Sequence, residues 1–259
     1  MRTKGANKKV KNRARRVHDF LDHSSDFSVV EAYKTIRTNL MFAIPKAGCK
    51  KIIVTSSVPK EGKSTSVTNL AISLAQANAR VLLIDCDMRK PFVHKIFKMK
   101  AIPGLSDVLG GLCGLADAIQ ATQYPSLMVI CAGTIPPNPG ELLGSAVMAD
   151  MIAFLDSKFD YILLDTPPVN LVSDTLSLTK IADGVVMVAR QDVTLHPEFA
   201  KALNSLEFAG AKVAGVIMND VESGRGYGYK KYRYDKKYQG YYNFYKEPEK
   251  GAEALSTKE

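Results

Sequence analysis

Residues 57–65 (SVPKEGKST) combine residue types that can bind a polyphosphate anion. An apolar run precedes them and an amphipathic stretch follows, so a strand, a loop and a helix are predicted in that order. In a phosphate loop, backbone N–H groups hold the anion, a lysine bridges the β- and γ-phosphates and a hydroxyl binds Mg²⁺. Lys63 and Ser64 fit this pattern, whereas Ser57 stands where its first glycine would be. The segment therefore predicts a nucleotide-binding loop.

Carboxylates follow two other apolar runs. VLLIDCD contains Asp85 and Asp87, and YILLD ends in Asp165. Parallel strands bring their carboxyl ends to one edge of a sheet, where ligands bind, so we expect these carboxylates beside the phosphate loop. One or two suffice for Mg²⁺, and a third could accept a proton from a hydroxyl group. The alternative is that each aspartate caps a helix or a turn.

Apolar runs alternate with helical patterns along the chain. Strands are predicted at residues 51–55, 81–85, 127–131, 161–165, 184–189 and 212–218, and helices at 29–42, 62–77, 145–157, 174–181 and 197–209. A proline-rich loop at residues 134–144 opens a further short helix. Continuous apolar runs are typical of strands buried on both faces. We therefore predict an α/β fold with a doubly wound, mostly parallel sheet.

The net charge of +9 is concentrated at the ends of the chain, since residues 1–16 contain eight basic residues and no acidic one. Such an arm could bind nucleic acid or an anionic membrane surface, or could be a disordered terminus. No apolar run has the length of a membrane span, and no secretory signal follows the basic start, so we expect a cytosolic protein. The four cysteines lack metal-ligand spacing and are expected to be reduced.

A tyrosine cluster lies near the C-terminus. Eight of the eleven tyrosines belong to it: Tyr227, Tyr229, Tyr232, Tyr234, Tyr238, Tyr241, Tyr242 and Tyr245. Glycines and lysines separate the rings without an apolar period, so the segment cannot bury a face. We predict a basic arm at residues 1–26, a phosphate-loop domain at 27–220 and a mobile tail at 221–259. This combination suggests an enzyme that carries its own substrate.

These motifs together resemble those of the bacterial tyrosine kinases, the cytoplasmic autokinases of capsule and exopolysaccharide synthesis. Five segments carry the resemblance: SSVPKEGKST (Walker A), LLIDCDMRKP (Walker A′), YILLDTPP (Walker B), IPPNPGELL and the tyrosine cluster. The resemblance implies the P-loop NTPase fold. It also implies that ATP phosphorylates the tyrosine cluster of a neighbouring subunit.

The resemblance further implies roles for individual residues. Lys63, Asp85 and Asp87 would be catalytic, with Asp85 as the base, and Ser64, Asp87 and Asp165 would hold Mg²⁺. The implied ATP-binding residues are Ser57, Lys60, Glu61, Gly62, Lys63, Ser64, Thr65 and Asn219, the last against the adenine. Lys60 could add positive charge near the phosphates or could be a solvated loop lysine. The eight clustered tyrosines would be the phosphoacceptors.

The resemblance also implies partners. EAYKTIR is similar to the oligomerisation helix of the family, E-x-x-R-x-x-R, in which Glu31 and Arg37 match and Lys34 replaces an arginine. Lysine cannot form the same bidentate contact, which weakens the prediction of a ring interface. The implied partners are other copies of the chain in a ring while unphosphorylated, a tyrosine phosphatase and a transmembrane activator (the polysaccharide co-polymerase). The activator's cytoplasmic tail would stabilise ATP binding and hold the kinase at the inner face of the plasma membrane.

Three alternatives are disfavoured. Partition and septum-positioning ATPases share Walker A′, but they have a second lysine where this chain has Val58, and they lack a tyrosine tail. Nucleic-acid binding by the tail would use base stacking and its lysines, and it predicts salt-dependent retention of RNA. A regulatory module without catalysis is disfavoured because Lys63, Ser64, Asp85, Asp87 and Asp165 are all intact.

Overall fold

The computed structural model describes residues 20–22 and 25–221. It divides the chain into two units after Asp220, and almost all of the second unit lies outside the described residues. The eight clustered tyrosines and most of the predicted basic arm also lie outside them. The phosphate loop and all of the described strands and helices belong to the first unit.

Seven strands and nine helices form the described part of the chain. The strands are β1 Lys50–Ser56, β2 Val81–Asp85, β3 Ile119–Ala121, β4 Leu127–Ile130, β5 Tyr161–Asp165, β6 Gly184–Arg190 and β7 Val213–Asn219. The helices are α1 Phe27–Ala43, α2 Lys63–Ala75, α3 Val93–Phe97, α4 Leu105–Leu109, α5 Leu115–Ala118, α6 Pro139–Leu143, α7 Ala146–Leu155, α8 Asp174–Ser177 and α9 His196–Phe208. All six predicted strands are present.

The strands form one sheet in the order β3-β4-β2-β5-β1-β6-β7. Every pairing is parallel except that of β3 with β4. β5 lies between β1 and β2, and the register sets Asp165 beside Asp85 on one side and beside Val54 on the other. The acidic strand ends are therefore neighbours, and the phosphate loop begins one strand away.

Alternate residues of the central strands enter two hydrophobic layers on opposite faces of the sheet. In β1, Ile53 packs in the layer that contains residues of α7 and α9. Its neighbours Ile52 and Val54 pack in the other layer, with residues of α1 and α2. Both faces are thus covered by helices, which confirms the doubly wound α/β prediction and explains why the strand sequences do not alternate with polar residues.

The differences from the predicted elements are local. α8 ends at Ser177, and beyond it Leu178 and Ile181 make tighter i→i−3 backbone bonds. The sequence patterns did not predict α3, α4, α5 and β3, which have three to five residues each. Elements of this length are too short to show an apolar period.

Within the described residues, none of the helices combines the length and the hydrophobicity that crossing a lipid bilayer requires.

Candidate functional site

The phosphate loop joins β1 to α2, and the backbone N–H groups of its second half have no partner among the described residues. None of the N–H groups of residues 60–65 donates to another described residue. Lys60 and Gly62 have φ values of 70° and 93°, and the second admits little but glycine, since an added Cβ would lie 2.0 Å from Asn219 Nδ2. Unpaired N–H groups at a helix start form an anion-binding site. The predicted segment therefore has the backbone conformation of a phosphate loop.

Two residues expected to bind the nucleotide turn their side chains into the loop itself. Glu61 is fully buried, and its carboxylate accepts hydrogen bonds from Ser57 Oγ (2.9 and 3.0 Å) and from the Val58 N–H (2.9 Å). The hydroxyl of Thr194 also donates to this carboxylate. Any contact of Ser57 or Glu61 with a bound anion would therefore come from the backbone. Lys60, by contrast, is exposed.

Lys63 lies between the two acidic strand ends. Its ammonium is 2.9 Å from Asp87 Oδ2 and 3.4 Å from Asp165 Oδ1. The ammonium is also 3.3 Å from Ser64 Oγ. The structure thus brings together residues from three distant parts of the sequence, as the shared edge of a parallel sheet predicts.

Asp85 makes backbone contacts that anchor the next helix. Its Oδ2 accepts hydrogen bonds from the N–H groups of Phe92 and Val93, both at 3.0 Å, at the start of α3. Its Oδ1 accepts one from the N–H of Asp87 at 3.2 Å. Asp87 Oδ1 accepts one from the N–H of Lys90 at 3.0 Å, which closes a turn. Asp85 and Asp87 therefore cap a helix and a turn, which is the alternative role that the sequence left open. This role does not exclude a catalytic one.

Burial and like charge govern the protonation of this cluster. Burial, with Asp165 close by, raises the pKa of Asp85 to about 7. Burial also raises the pKa of Asp165, because the attraction of Lys63 and a hydrogen bond from Ser64 offset it only in part. For Lys63, burial lowers the pKa, but the charges of Asp165 and Asp87 outweigh burial and leave the pKa above its ordinary value. The cluster thus favours a charged lysine and at least one carboxylate that titrates near neutrality.

The carboxylates fit a magnesium ion that is bound together with phosphate. Asp165 Oδ2 is buried and has no hydrogen-bond partner among the described residues. An unsatisfied buried carboxylate oxygen is costly unless a ligand completes it. No group of three His, Cys, Asp or Glu side chains in this part of the chain is arranged to hold a metal alone. Mg²⁺ usually takes one or two carboxylates and completes its shell with phosphate oxygens and water, which suits this arrangement.

Asn219, at the end of β7, contacts the phosphate loop directly. Its amide Nδ2 donates to the carbonyl of Glu61 at 3.0 Å. The next residue, Asp220, pairs with Arg190 at 2.9 Å, and Arg190 also donates to the carbonyl of Lys60 at 3.2 Å. The end of β7 is therefore tied to the phosphate loop, and the expected contact of Asn219 with the adenine stays a prediction.

The predicted oligomerisation residues lie on α1. Lys34 pairs with Glu31 at 2.7 Å, one turn apart on the exposed surface, where such a pair adds at most about 1 kcal/mol. Arg37 donates to the carbonyl of Ser73 in α2 at 2.7 Å. In this single chain Arg37 thus joins α1 to the helix that begins at the phosphate loop.

Three contacts near the site involve residues that the sequence did not single out. Arg190 ends β6, Thr194 follows it, and both brace the phosphate loop. Arg89 makes a two-point contact with Asp174, with Nε–Oδ2 at 2.7 Å and Nη2–Oδ1 at 3.1 Å. Asp174 also packs against Gly140 of the IPPNPGELL segment, where an added Cβ would lie 3.1 Å from its Oδ1. No spacing rule predicts these contacts, although Arg89 belongs to the RKP sequence of the Walker A′ segment.

Comparison with known proteins identifies the family. Residues 50–196 match the AAA domain family. Tyrosine-protein kinase YwqD of Bacillus subtilis is 40% identical over 201 residues, which cover 77% of this chain and 85% of YwqD. Tyrosine-protein kinase Ptk of Acinetobacter johnsonii is 38% identical over 205 residues, but these are 79% of this chain and 28% of Ptk. The chain thus spans most of the length of one relative and less than a third of the other.

Solved structures give the same result. The chimerical protein CapA2B2 superposes with a TM-score of 0.73 at 38% identity, over 77% of this chain and 87% of that one. The kinase domain of the Escherichia coli tyrosine kinase ETK superposes with a TM-score of 0.70 at 31% identity, over 77% and 80% of the two chains. Sequence identity, coverage and fold agree with the motifs from which the resemblance was drawn. The chain therefore belongs to the bacterial tyrosine-protein kinases.

Proposed function

We propose that this protein is an ATP-dependent tyrosine autokinase that phosphorylates the tyrosine cluster of a neighbouring copy and so regulates capsule or exopolysaccharide synthesis. The observation that carries the proposal is the position of Lys63, whose ammonium contacts both Asp87 and Asp165 where the phosphate loop ends and α2 begins. Lysine, carboxylates and free N–H groups are the parts that phosphoryl transfer from a nucleotide requires.

In this proposal the phosphate loop binds ATP through its free N–H groups and Lys63. Before the nucleotide arrives, the ammonium neutralises Asp87 and Asp165, which would otherwise repel a polyphosphate. On binding, it would exchange these carboxylates for phosphate oxygens. Asn219 would contact the adenine from the end of β7.

Ser64, Asp87 and Asp165 would hold the magnesium ion. Asp165 Oδ2, which has no partner among the described residues, and Asp87 Oδ2, which contacts Lys63, are the carboxylate oxygens best suited to this role. When bound, Mg²⁺ would neutralise charge that develops on the transferred phosphoryl group.

Asp85 would accept the proton of the attacking tyrosine hydroxyl. The ordinary pKa of tyrosine is about 10, so its hydroxyl needs a base as the new bond forms. With a pKa raised to about 7, Asp85 is a stronger base than an ordinary aspartate and is still ionised in part at neutral pH. Its bonds to the N–H groups at the start of α3 would hold the carboxylate in place during the transfer.

The partners follow from the family and remain part of the proposal. A ring of unphosphorylated copies, assembled through Glu31, Lys34 and Arg37 of α1, would bring the tail of one subunit to the site of the next. A transmembrane activator with a cytoplasmic tail would stabilise ATP binding and hold the kinase at the inner face of the membrane. A cognate tyrosine phosphatase would reverse the modification. The lysines between the tail tyrosines would steer the tail towards an acidic, ATP-loaded cleft.

Lys63→Met tests the proposed function. The variant keeps the length of the side chain but loses the ammonium, so incorporation of radioactive phosphate from ATP into tyrosine should fall to background. The matched control is Lys180→Met, an exposed lysine between α8 and β6, which should label as the wild type does. Circular dichroism on both variants would verify that they fold.

Tyrosine labelling that persists in Lys63→Met would contradict the assignment of the site. ATP hydrolysis by the wild type without any label on tyrosine would instead support an ATPase of the partition type. A mass-spectrometric map of the wild type with and without ATP would identify the modified residues among the eight.

A further inference from the structure

The carbonyl groups of the phosphate loop are turned away from the anion site and are satisfied from outside the loop. The Val58 carbonyl accepts a hydrogen bond from Ser56 Oγ at 2.9 Å. The Lys60 carbonyl accepts one from Arg190 at 3.2 Å, and the Glu61 carbonyl accepts one from Asn219 at 3.0 Å. Each of these bonds fixes a peptide plane and so fixes where the N–H on its other side points. The free N–H groups of the loop are thus positioned by side chains that do not face the phosphate.

The buried carboxylate of Glu61 lies inside this loop and forms no ion pair with a cation among the described residues. Its side chain is fully buried, and none of the ion pairs among the described residues includes it. Three donors satisfy its carboxylate instead, namely Ser57 Oγ, the Val58 N–H and the hydroxyl of Thr194. Two of these belong to the loop, and Thr194 is the one donor that comes from elsewhere in the fold.

Thr194 is itself held in place for this contact. The backbone N–H of Arg190 donates to Thr194 Oγ1 at 2.7 Å, and the N–H of Thr194 donates to the Arg190 carbonyl at 2.9 Å. Oγ1 accepts a hydrogen bond from the Arg190 N–H, and its own O–H donates to Glu61. The turn after β6 thus presents one hydroxyl donor to the buried carboxylate.

We propose that Thr194 is a positioning residue for nucleotide binding, which acts by donating a hydrogen bond from its hydroxyl group to the buried Glu61 carboxylate. The inference rests on the proposed function only in taking the ligand of the loop to be a nucleotide. A hydrogen bond to a charged group is among the stronger ones, and a buried carboxylate that loses a donor seeks another. Glu61 also accepts hydrogen bonds from within the loop, from Ser57 Oγ and the Val58 N–H, so a shift of its carboxylate moves the loop whose free N–H groups bind the phosphates. Without Thr194, these N–H groups therefore lose the arrangement that the nucleotide needs.

Thr194→Val tests the inference, since valine keeps the shape of threonine and removes the hydroxyl. We expect about tenfold weaker binding of Mg·ADP in isothermal titration calorimetry, carried out well below the unfolding temperatures of both proteins. KM for ATP should rise by a similar factor while kcat changes less than about twofold, because the residue does not touch the reacting atoms. Thr194→Ser, which restores the hydroxyl, should recover most of the affinity.

A cycle with Glu61→Gln measures the coupling directly. If Thr194 acts through Glu61, adding Thr194→Val to Glu61→Gln should weaken Mg·ADP binding much less than it does in the wild type. Equal Mg·ADP affinity of Thr194→Val and the wild type would overturn the inference, and so would additive effects in the cycle. A lower unfolding temperature with unchanged affinity would also overturn it, since that result indicates a structural role alone. Because Mg·ADP binding needs no catalysis, these outcomes are independent of whether Lys63→Met abolishes tyrosine labelling.

Discussion

At the scale of single residues, the three aspartates at the sheet edge have different surroundings. Asp85 accepts three backbone N–H bonds, Asp87 is shared between a turn and Lys63, and one oxygen of Asp165 has no partner in the part of the chain that the structure describes. The sequence predicted all three as site residues, but their types alone could not distinguish a base from a metal ligand. Division of roles among aspartates depends on which oxygens the fold leaves free.

The pKa of Asp85 leads to a prediction about stability and pH. The carboxyl titrates near 3.8 in the unfolded chain and near 7 in the fold, so between these values the folded state holds more protons than the unfolded state. The free energy of unfolding should then fall as pH rises from about 4 to about 7. Asp85→Asn has no such ionisation, so the stability of the wild type relative to this variant should decrease across the interval.

Denaturant unfolding of both proteins at a series of pH values measures this difference. Asp85→Asn also disturbs the hydrogen bonds at this position, but this contribution to the free energy of unfolding does not vary with pH. A difference that stays level from pH 4 to pH 7 would show that Asp85 is ionised throughout, which would remove the support for its role as a base.

At the scale of elements, the phosphate loop depends on a close approach between Gly62 and the end of β7. In Gly62→Ala, the methyl group meets Asn219 Nδ2 and the residue keeps a left-handed φ of 93°. The conformation alone costs about 1–2 kcal/mol for a residue with a Cβ. Displacing Asn219 should also break its bond to the Glu61 carbonyl and weaken nucleotide binding at least tenfold.

Gly48→Ala is the matched control for this prediction. Gly48 has a φ of 76°, but an added Cβ meets nothing within 4 Å. Gly48→Ala should be destabilised by the cost of the left-handed conformation, and it should keep its affinity for Mg·ADP. If both variants bind the nucleotide as the wild type does in calorimetry, the contact between Gly62 and Asn219 has no part in binding.

The elements themselves differ in how far the sequence predicts them. Strands such as β5, with five consecutive buried residues, are clear because a continuous apolar run bounded by turn residues has few other solutions. α3 is one turn long and starts where Asp85 accepts the N–H groups of Phe92 and Val93. Its existence depends on a tertiary contact, so no local pattern could have predicted it.

At the scale of the whole molecule, the proposed reaction joins the site of one copy to the tyrosine cluster of another. Mixing two variants tests this: Lys63→Met with its tail intact, and a chain that ends at Asp220 with its site intact. The shortened chain retains all of the described strands and helices. Labelled ATP should place phosphate on the tail of the Lys63→Met chain, as autoradiography after electrophoresis would show.

Each variant alone is the control and should give no labelled tyrosine. If the mixture stays unlabelled while the wild type labels itself, transfer within one chain replaces transfer between subunits. Since tyrosine, lysine and glycine dominate the cluster, residues 227–245 can be a substrate without folding into the core.

The sequence by itself determined the α/β class, the phosphate loop and the acidic strand ends, because apolar period and motif spacing are local properties of the chain. The tertiary structure alone decided that β5 lies between β1, which precedes the phosphate loop, and β2, which ends in Asp85. It also decided that the side chain of Glu61 points into its own loop, and that Thr194 meets Glu61 across 133 positions of sequence. Such contacts depend on the order of strands in the sheet, which no local pattern encodes.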